Sequence, residues 1–188
     1  MGWEFAKIKD YVEVSMTEKR FRHVLGVIET AEDLARRHGV DIAQAKLAAL
    51  VHDVAKEQKL EQTAALLRLE GEASYLKYSD KVWHAPMGAI IAKKVLIIEN
   101  KDVLNAIKYH TTGRPEMSQL EKVIFVADYT EPNRTFESCI AVREFWDDLD
   151  RAVYEILKQK LDKITGLGLG LHPDTLGAYE FFKELITE

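Results

Sequence analysis

The sequence predicts an all-α fold, on three observations. Apolar residues recur at helical spacing, as at Leu120, Val123, Ile124 and Ala127. Most of the 4 prolines and 10 glycines fall between such segments. No low-complexity tract or internal repeat breaks the pattern. Only Lys122 to Val126 has enough β-branched character to suggest a strand, and its neighbours favour a helix.

Taken in order, a short amphipathic helix is expected over about 3–14, beginning at Trp3. Ser15 and Glu18 then stand at the spacing of a capping box. The second helix runs to Arg37 or His38, Gly39 supplies a left-handed C-cap, and Asp41 caps a third helix that carries Ala48, Ala49, Val51, His52 and Asp53. Further helices are predicted over about 60–69, 85–98, 102–110, 119–127, 140–147, 149–164 and 175–186. Gly166-Leu-Gly-Leu-Gly170 neither follows a strand nor carries the Gly-Lys-Ser/Thr of a phosphate loop. It reads as a flexible connection to the helix opened by His172-Pro173-Asp174.

Composition narrows the function classes. With 188 residues and 47% hydrophobic content, a single domain over 1–188 with a substantial core is expected. Lys plus Arg number 26 against 31 Asp plus Glu, and the net charge of −5 argues against a non-specific binder of nucleic acid or anionic membrane. A polyanionic ligand must therefore meet cations gathered locally. Cys139 is the only cysteine, so neither an intrachain disulfide nor a cysteine zinc knuckle is available, and a small core residue in a reducing compartment is expected. The first residues carry no apolar signal segment and no run approaches a membrane span, which points to the cytoplasm.

The chemistry centres on Leu50-Val-His-Asp-Val-Ala-Lys56, where adjacent His52 and Asp53 interrupt an apolar segment. Burying an ionised carboxylate beside an imidazole is unfavourable without compensation, and a bound cation is one compensation that also supports chemistry. His23, His84, His110 and Asp128 follow a related pattern, most of them near expected helix ends. Singly, each is explained as a cap or a packed polar residue. Together, their wide spacing rules out a zinc finger or an HExxH helix and suits ligands converging from separate helices. A mixed imidazole and carboxylate set suits iron, manganese, zinc or nickel better than calcium. With no serine elbow or activated cysteine in evidence, the consistent chemistry is hydrolysis by metal-activated water.

Several stretches carry a family resemblance. Arg20-Phe-Arg-His23-Val-Leu-Gly-Val27, Leu50 to Glu57, Trp83-His-Ala-Pro86, His110-Thr-Thr-Gly113, Ala127-Asp-Tyr-Thr-Glu-Pro-Asn-Arg134 and His172-Pro-Asp-Thr175 resemble the HD-domain phosphohydrolases. Within them the chain is most similar to the YqeK-type bacterial family of symmetrical diadenosine tetraphosphate hydrolases, over about 19–179. The resemblance implies an HD-domain helical bundle with a metal site between helices. His23, His52, Asp53 and Asp128 would hold a divalent metal, iron first, with manganese, zinc, nickel or cobalt as alternatives. His84 and His110 would hold a second ion or the substrate phosphates, and Asp53, His84 and His110 would be the catalytic residues. Arg20, Lys56 and Arg134 are the expected phosphate cations, with Arg114 a weaker candidate, while Thr175 and Gly177 are assigned to the nucleoside wall by resemblance alone. The implied ligands are diadenosine tetraphosphate and its product ADP, with no nucleic acid or membrane partner, and a homodimer is compatible with the sequence. The alternatives are another HD-type nucleotide phosphohydrolase, acting on a nucleoside monophosphate or a guanosine alarmone, and a non-catalytic nucleotide-binding module.

Overall fold

In the computed structural model, which describes residues 4–187, several helices begin at a residue whose side chain caps them. Helix α1 (Phe5–Val14) ends at Ser15, whose Oγ donates to Tyr11 O. Helix α2 (Glu18–Arg37) begins after Thr17, whose side chain accepts from Arg20 N. The capping box expected at Ser15 is therefore not made, because that hydroxyl serves the carbonyl end of α1 and Thr17 takes the N-cap position. Trp3, the expected start of the first helix, lies outside the described residues.

Gly39 adopts the expected left-handed conformation, with φ of 65°, and Asp41 accepts from Gln44 N at 2.9 Å to open α3 (Ile42–Val51). Helix α3 stops short of the His-Asp pair. Beyond it Val54, Lys56 and Gln58 donate to carbonyls three residues back, so His52 is a C-cap and Asp53 stands in tight turns rather than inside a helix. The turn is tied to the start of α2 by Glu57, which accepts from Thr17 N at 2.6 Å and Thr17 Oγ1 at 2.8 Å.

Helix α4 (Leu60–Leu69) leads through two unanticipated 3₁₀ turns, Ala73–Lys77 and Asp80–Val82, into α5 (His84–Lys94). Helix α5 ends earlier than expected, because the chain reverses through Ile97 at φ of 55° and Asn100 caps α6 (Lys101–Tyr109) by accepting from Asp102 N and Val103 N. Helix α7 (Gln119–Thr130) follows, then α8 (Glu137–Arg143), displaced toward the N-terminus from the expected 140–147, with turns through 145–148. Helices α9 (Leu149–Gly166) and α10 (Pro173–Thr187) complete the chain. The described residues contain no strand.

The β-branched run that raised the strand question lies in α7, where Val123, Ile124 and Val126 are fully buried. This helix is the axis of the bundle and packs against α2, α6 and α9. Burial of its apolar residues outweighs the weak helix propensity of valine and isoleucine. Helix α3 packs on α2 through small residues such as Ala45, Ala48 and Ala49, which allow close approach. Gly88 of α5 does the same toward the turn, since a Cβ there would sit 3.4 Å from His52 O. The result gathers His23 of α2, the His52-Asp53 turn, the start of α5, the end of α6 and Asp128 of α7 in one place. No described helix is long and apolar enough to cross a membrane.

Candidate metal centre

The imidazoles are aimed by what lies behind them. Nδ1 of His52 is 2.7 Å from Ala49 O, Nδ1 of His110 is 2.7 Å from Ile107 O, and Nδ1 of His23 is 3.1 Å from Glu131 Oε1. These oxygens only accept, which assigns the proton to Nδ1 and leaves Nε2 as the forward lone pair. His23 Nε2 then lies 3.1 Å from Asp128 Oδ1 and 3.7 Å from Asp53 Oδ2. His52 Nε2 lies 3.5 Å from Asp53 Oδ2 and 3.9 Å from Asp128 Oδ1. Both Nε2 atoms are buried without a hydrogen-bond partner. Lone pairs facing carboxylate oxygens repel unless a positive charge lies between them, and a mixed nitrogen and oxygen set of this kind fits a divalent transition metal.

A second group shares Asp53 through its other oxygen. His84 Nε2 is 3.1 Å and His110 Nε2 3.7 Å from Asp53 Oδ1, and the two Nε2 atoms are 3.1 Å apart. Two groups able to hold an ion thus meet at one carboxylate: His23, His52 and Asp53, and Asp53, His84 and His110.

The electrostatics agree with a site built for positive charge. Burial raises the pKa of Asp53, but the surrounding His52, His110 and His84 rings more than reverse this and hold it well below the usual carboxylate range. Asp128 behaves alike, with burial overcome by His23, Arg134 and His52. For His52, burial disfavours the proton, while Asp53 and Asp128 win and raise its pKa. Burial dominates at the second group, pushing His84 down to about 4 and lowering His110.

Cations surround the cluster. Arg20 Nη1 donates to Asp53 Oδ2 at 3.0 Å, and Arg134 Nη2 donates to Asp128 Oδ1 at 2.9 Å. Lys56 Nζ lies 3.3 Å from the ring nitrogens of His84, and burial lowers its pKa against the pull of Asp53 and Asp128. On one flank a cleft of about 350 Å³ opens between Lys56, Asp128 and Arg134, with Tyr78, His172 and Thr175 among its walls. Leu167, Leu169 and Gly170 line it too, so the glycine-rich connection borders the site.

Every expected ligand is therefore in one cluster, with Arg20, Lys56 and Arg134 beside it and Thr175 in the cleft wall. Gly177 sits differently: it faces Pro115, whose Cγ would be 3.1 Å from a Cβ at that position, and it is not part of the cleft lining. Arg114 is committed elsewhere, with both Nε and Nη2 at 2.7 Å from the buried Glu121 carboxylate. Cys139 is a buried free thiol, as expected.

Two further residues support the cluster. Glu131, buried behind His23, has Oε2 fixed by Asn133 N at 2.7 Å and Asn133 Nδ2 at 2.9 Å, which leaves Oε1 for the imidazole. The Glu-Pro-Asn run that ends α7 is the local signal for it, since the residue before a proline is held extended. Lys160 of α9 lines the cleft and donates to Thr111 O at 2.8 Å. Burial pushes its pKa down to about 8, opposed by Asp128. On a helix rich in lysine and glutamine it has the look of a solvent-facing residue.

Residues 20–133 match the family described as HD domain. The chain is 42% identical over 175 residues to the protein named symmetrical bis(5'-nucleosyl)-tetraphosphatase in Halalkalibacterium halodurans, which covers 92% of this chain and 94% of that one. The protein of the same name from Bacillus subtilis is 39% identical over 172 residues, covering 90% and 92%. A crystal structure from Clostridium acetobutylicum, described as a predicted HD superfamily hydrolase involved in NAD metabolism, superposes with a TM-score of 0.93 at 38% identity, over 98% of this chain and all of that one.

Proposed function

The chain belongs to the HD-domain family, and from that premise we propose that it hydrolyses diadenosine tetraphosphate at the central phosphoanhydride, releasing two ADP. The observation that carries this reading is a collar of cations around a buried His/Asp cluster in a chain of net charge −5. Such a collar suits a polyphosphate lying across the cluster. The curated relatives, named for symmetrical cleavage of bis-nucleosyl tetraphosphates, support the same substrate class.

His23, His52, Asp53 and Asp128 would hold the metal, iron in this reading, although the donor set also suits manganese, zinc, nickel or cobalt. Bound there, the ion supplies Lewis acidity, lowering the pKa of water toward about 7 and polarising a phosphoryl oxygen. The remaining work falls to the chain itself. Arg20, Lys56, Arg134 and Lys160 offset the charge of the phosphates and of the departing ADP. Asp53, held ionised, accepts a hydrogen bond from the attacking water. His84 and His110 hold a second ion with Asp53 Oδ1 or, once protonated, donate to phosphate oxygens, and metal stoichiometry of one or two per chain separates these roles. The cleft of Tyr78, Leu169, His172 and Thr175 takes one adenosine. Helices α9 and α10 lie beyond the matched segment yet supply Lys160 and Thr175, in keeping with residues 1–188 acting as one domain.

The test is chromatographic product analysis of metal-loaded protein incubated with diadenosine tetraphosphate. ADP as the sole product is expected. AMP plus ATP would move the attack to an outer phosphorus, and no product, with phosphate release from a nucleoside monophosphate instead, would replace this reading by another HD reaction.

A further inference from the structure

A substrate cut at its centre has two equal halves, and the reading above seats only one of them. The two ADP moieties must leave the metal cluster in different directions. The Thr175 cleft occupies the flank of Asp128, Lys56 and Lys160. On another flank, a groove of about 700 Å³ opens past His23 and Arg20, lined by Lys19, Asn133, Arg134 and Phe136 and by two carboxylates that are already engaged, Glu57 by Thr17 and Glu131 by His23 and Asn133. Arg134 lines both spaces, which marks the point where a polyphosphate would cross from one to the other.

The chemistry of this groove suits a nucleotide. Lys19 has no ion-pair or hydrogen-bond partner among the described residues, so its charge is available. Phe136 is 69% exposed beside these cations, in the segment that follows the Asp128 helix. An exposed ring next to a cationic track is the usual platform for a stacked base. A third depression, near Leu60 and Trp83, also borders His84, but it measures about 190 Å³, and the Trp83 indole N–H is already donated to Tyr75 O and Tyr78 O.

Resting on the proposed central cleavage, we propose that the groove between Lys19, Arg20 and Phe136 seats the second nucleoside of the dinucleoside polyphosphate, with its base stacked on Phe136 and its phosphates passing Lys19 and Arg134.

The experiment is calorimetry on metal-loaded protein with two probes: the β,β′-methylene analogue of diadenosine tetraphosphate, which has both halves, and ADP, which has one. Phe136→Ala is expected to lower the preference for the analogue over ADP about tenfold, and Phe136→Trp to restore it. Lys19→Ala lowers it further, while Leu60→Ala leaves both affinities as in the parent. An unchanged preference in Phe136→Ala, or an equal loss for both probes, overturns the inference, and a loss in Leu60→Ala instead moves the second nucleoside to the Trp83 depression. The parent protein's products are measured alongside. If it makes ADP alone while Phe136→Ala keeps the parent preference, only the subsite falls, whereas a parent that does not make ADP removes the proposed reaction itself.

Discussion

Lys160 shows how burial tunes a single charge. Its amine is half-buried between the Thr111 carbonyl and the Phe125 ring, 4.2 Å from the ring centroid, and its pKa falls to about 8. The folded state therefore holds this proton less tightly than the unfolded chain, in which the pKa is near 10.5. Protonated Lys160 destabilises the fold below about pH 8, and the penalty is relieved as the pH rises from about 8 toward 10.5. Substrate binding runs the other way, because the neutral amine no longer attracts phosphate. KM for diadenosine tetraphosphate is expected to rise severalfold between about pH 7.5 and 9.5. In Lys160→Arg the rise flattens, since a guanidinium stays charged. Steady-state kinetics across that range check it, and an unaltered profile in the arginine variant would take Lys160 out of phosphate binding.

At the scale of elements, the contact between α2 and the end of α7 sets the geometry of His23. Gly26 lies one turn beyond His23 on α2, and a Cβ there would collide with Glu131 Oε2 and sit 3.0 Å from Asn133 Nδ2. Only a glycine lets the helix approach closely enough for Glu131 to reach the imidazole. Arg143 of α8 secures the same loop by donating to the carbonyls of Thr130, Glu131 and Arg134. Gly26→Ala is expected to lower metal affinity roughly 10–100-fold, the usual consequence of disturbing a residue that orients a ligand. Glu131→Gln should give a similar loss without the steric conflict. Metal content after dialysis, read beside the thermal midpoint, distinguishes a displaced Glu131 from a general loss of structure.

For the whole molecule, the cluster gathers lone pairs and carboxylates from five chain segments, so metal binding and folding are coupled. An ion that binds only the folded state at a free concentration of one hundred times its Kd stabilises by about 2.7 kcal/mol. For a chain of this length that corresponds to roughly 5–10 °C in Tm. Chelator-treated protein is expected to melt lower by about that amount, and titration with iron, manganese, zinc, nickel and cobalt salts ranks the ions by the recovery each gives. Calorimetry of the same titration counts the ions. A midpoint indifferent to every ion would mean that the cluster does not hold one.

The sequence by itself determined the helical class, most helix positions and the residues of the cluster. Apolar periodicity is a local property, and ligand chemistry is carried by residue type, so His23, His52, Asp53, His84, His110 and Asp128 could be picked out before their positions were known. Tertiary structure decided what depends on distance between remote segments. It turned Glu131 toward His23, 108 positions away in the chain. It placed Lys160 in a cleft that its own helix does not announce. Even the His-Asp pair stands in tight turns rather than in the helix its sequence suggested. Local propensity favours a continued α3, but the turn brings Asp53 within reach of rings from three other segments, those of His23, His84 and His110, and interactions of that kind are absent from any short window of sequence.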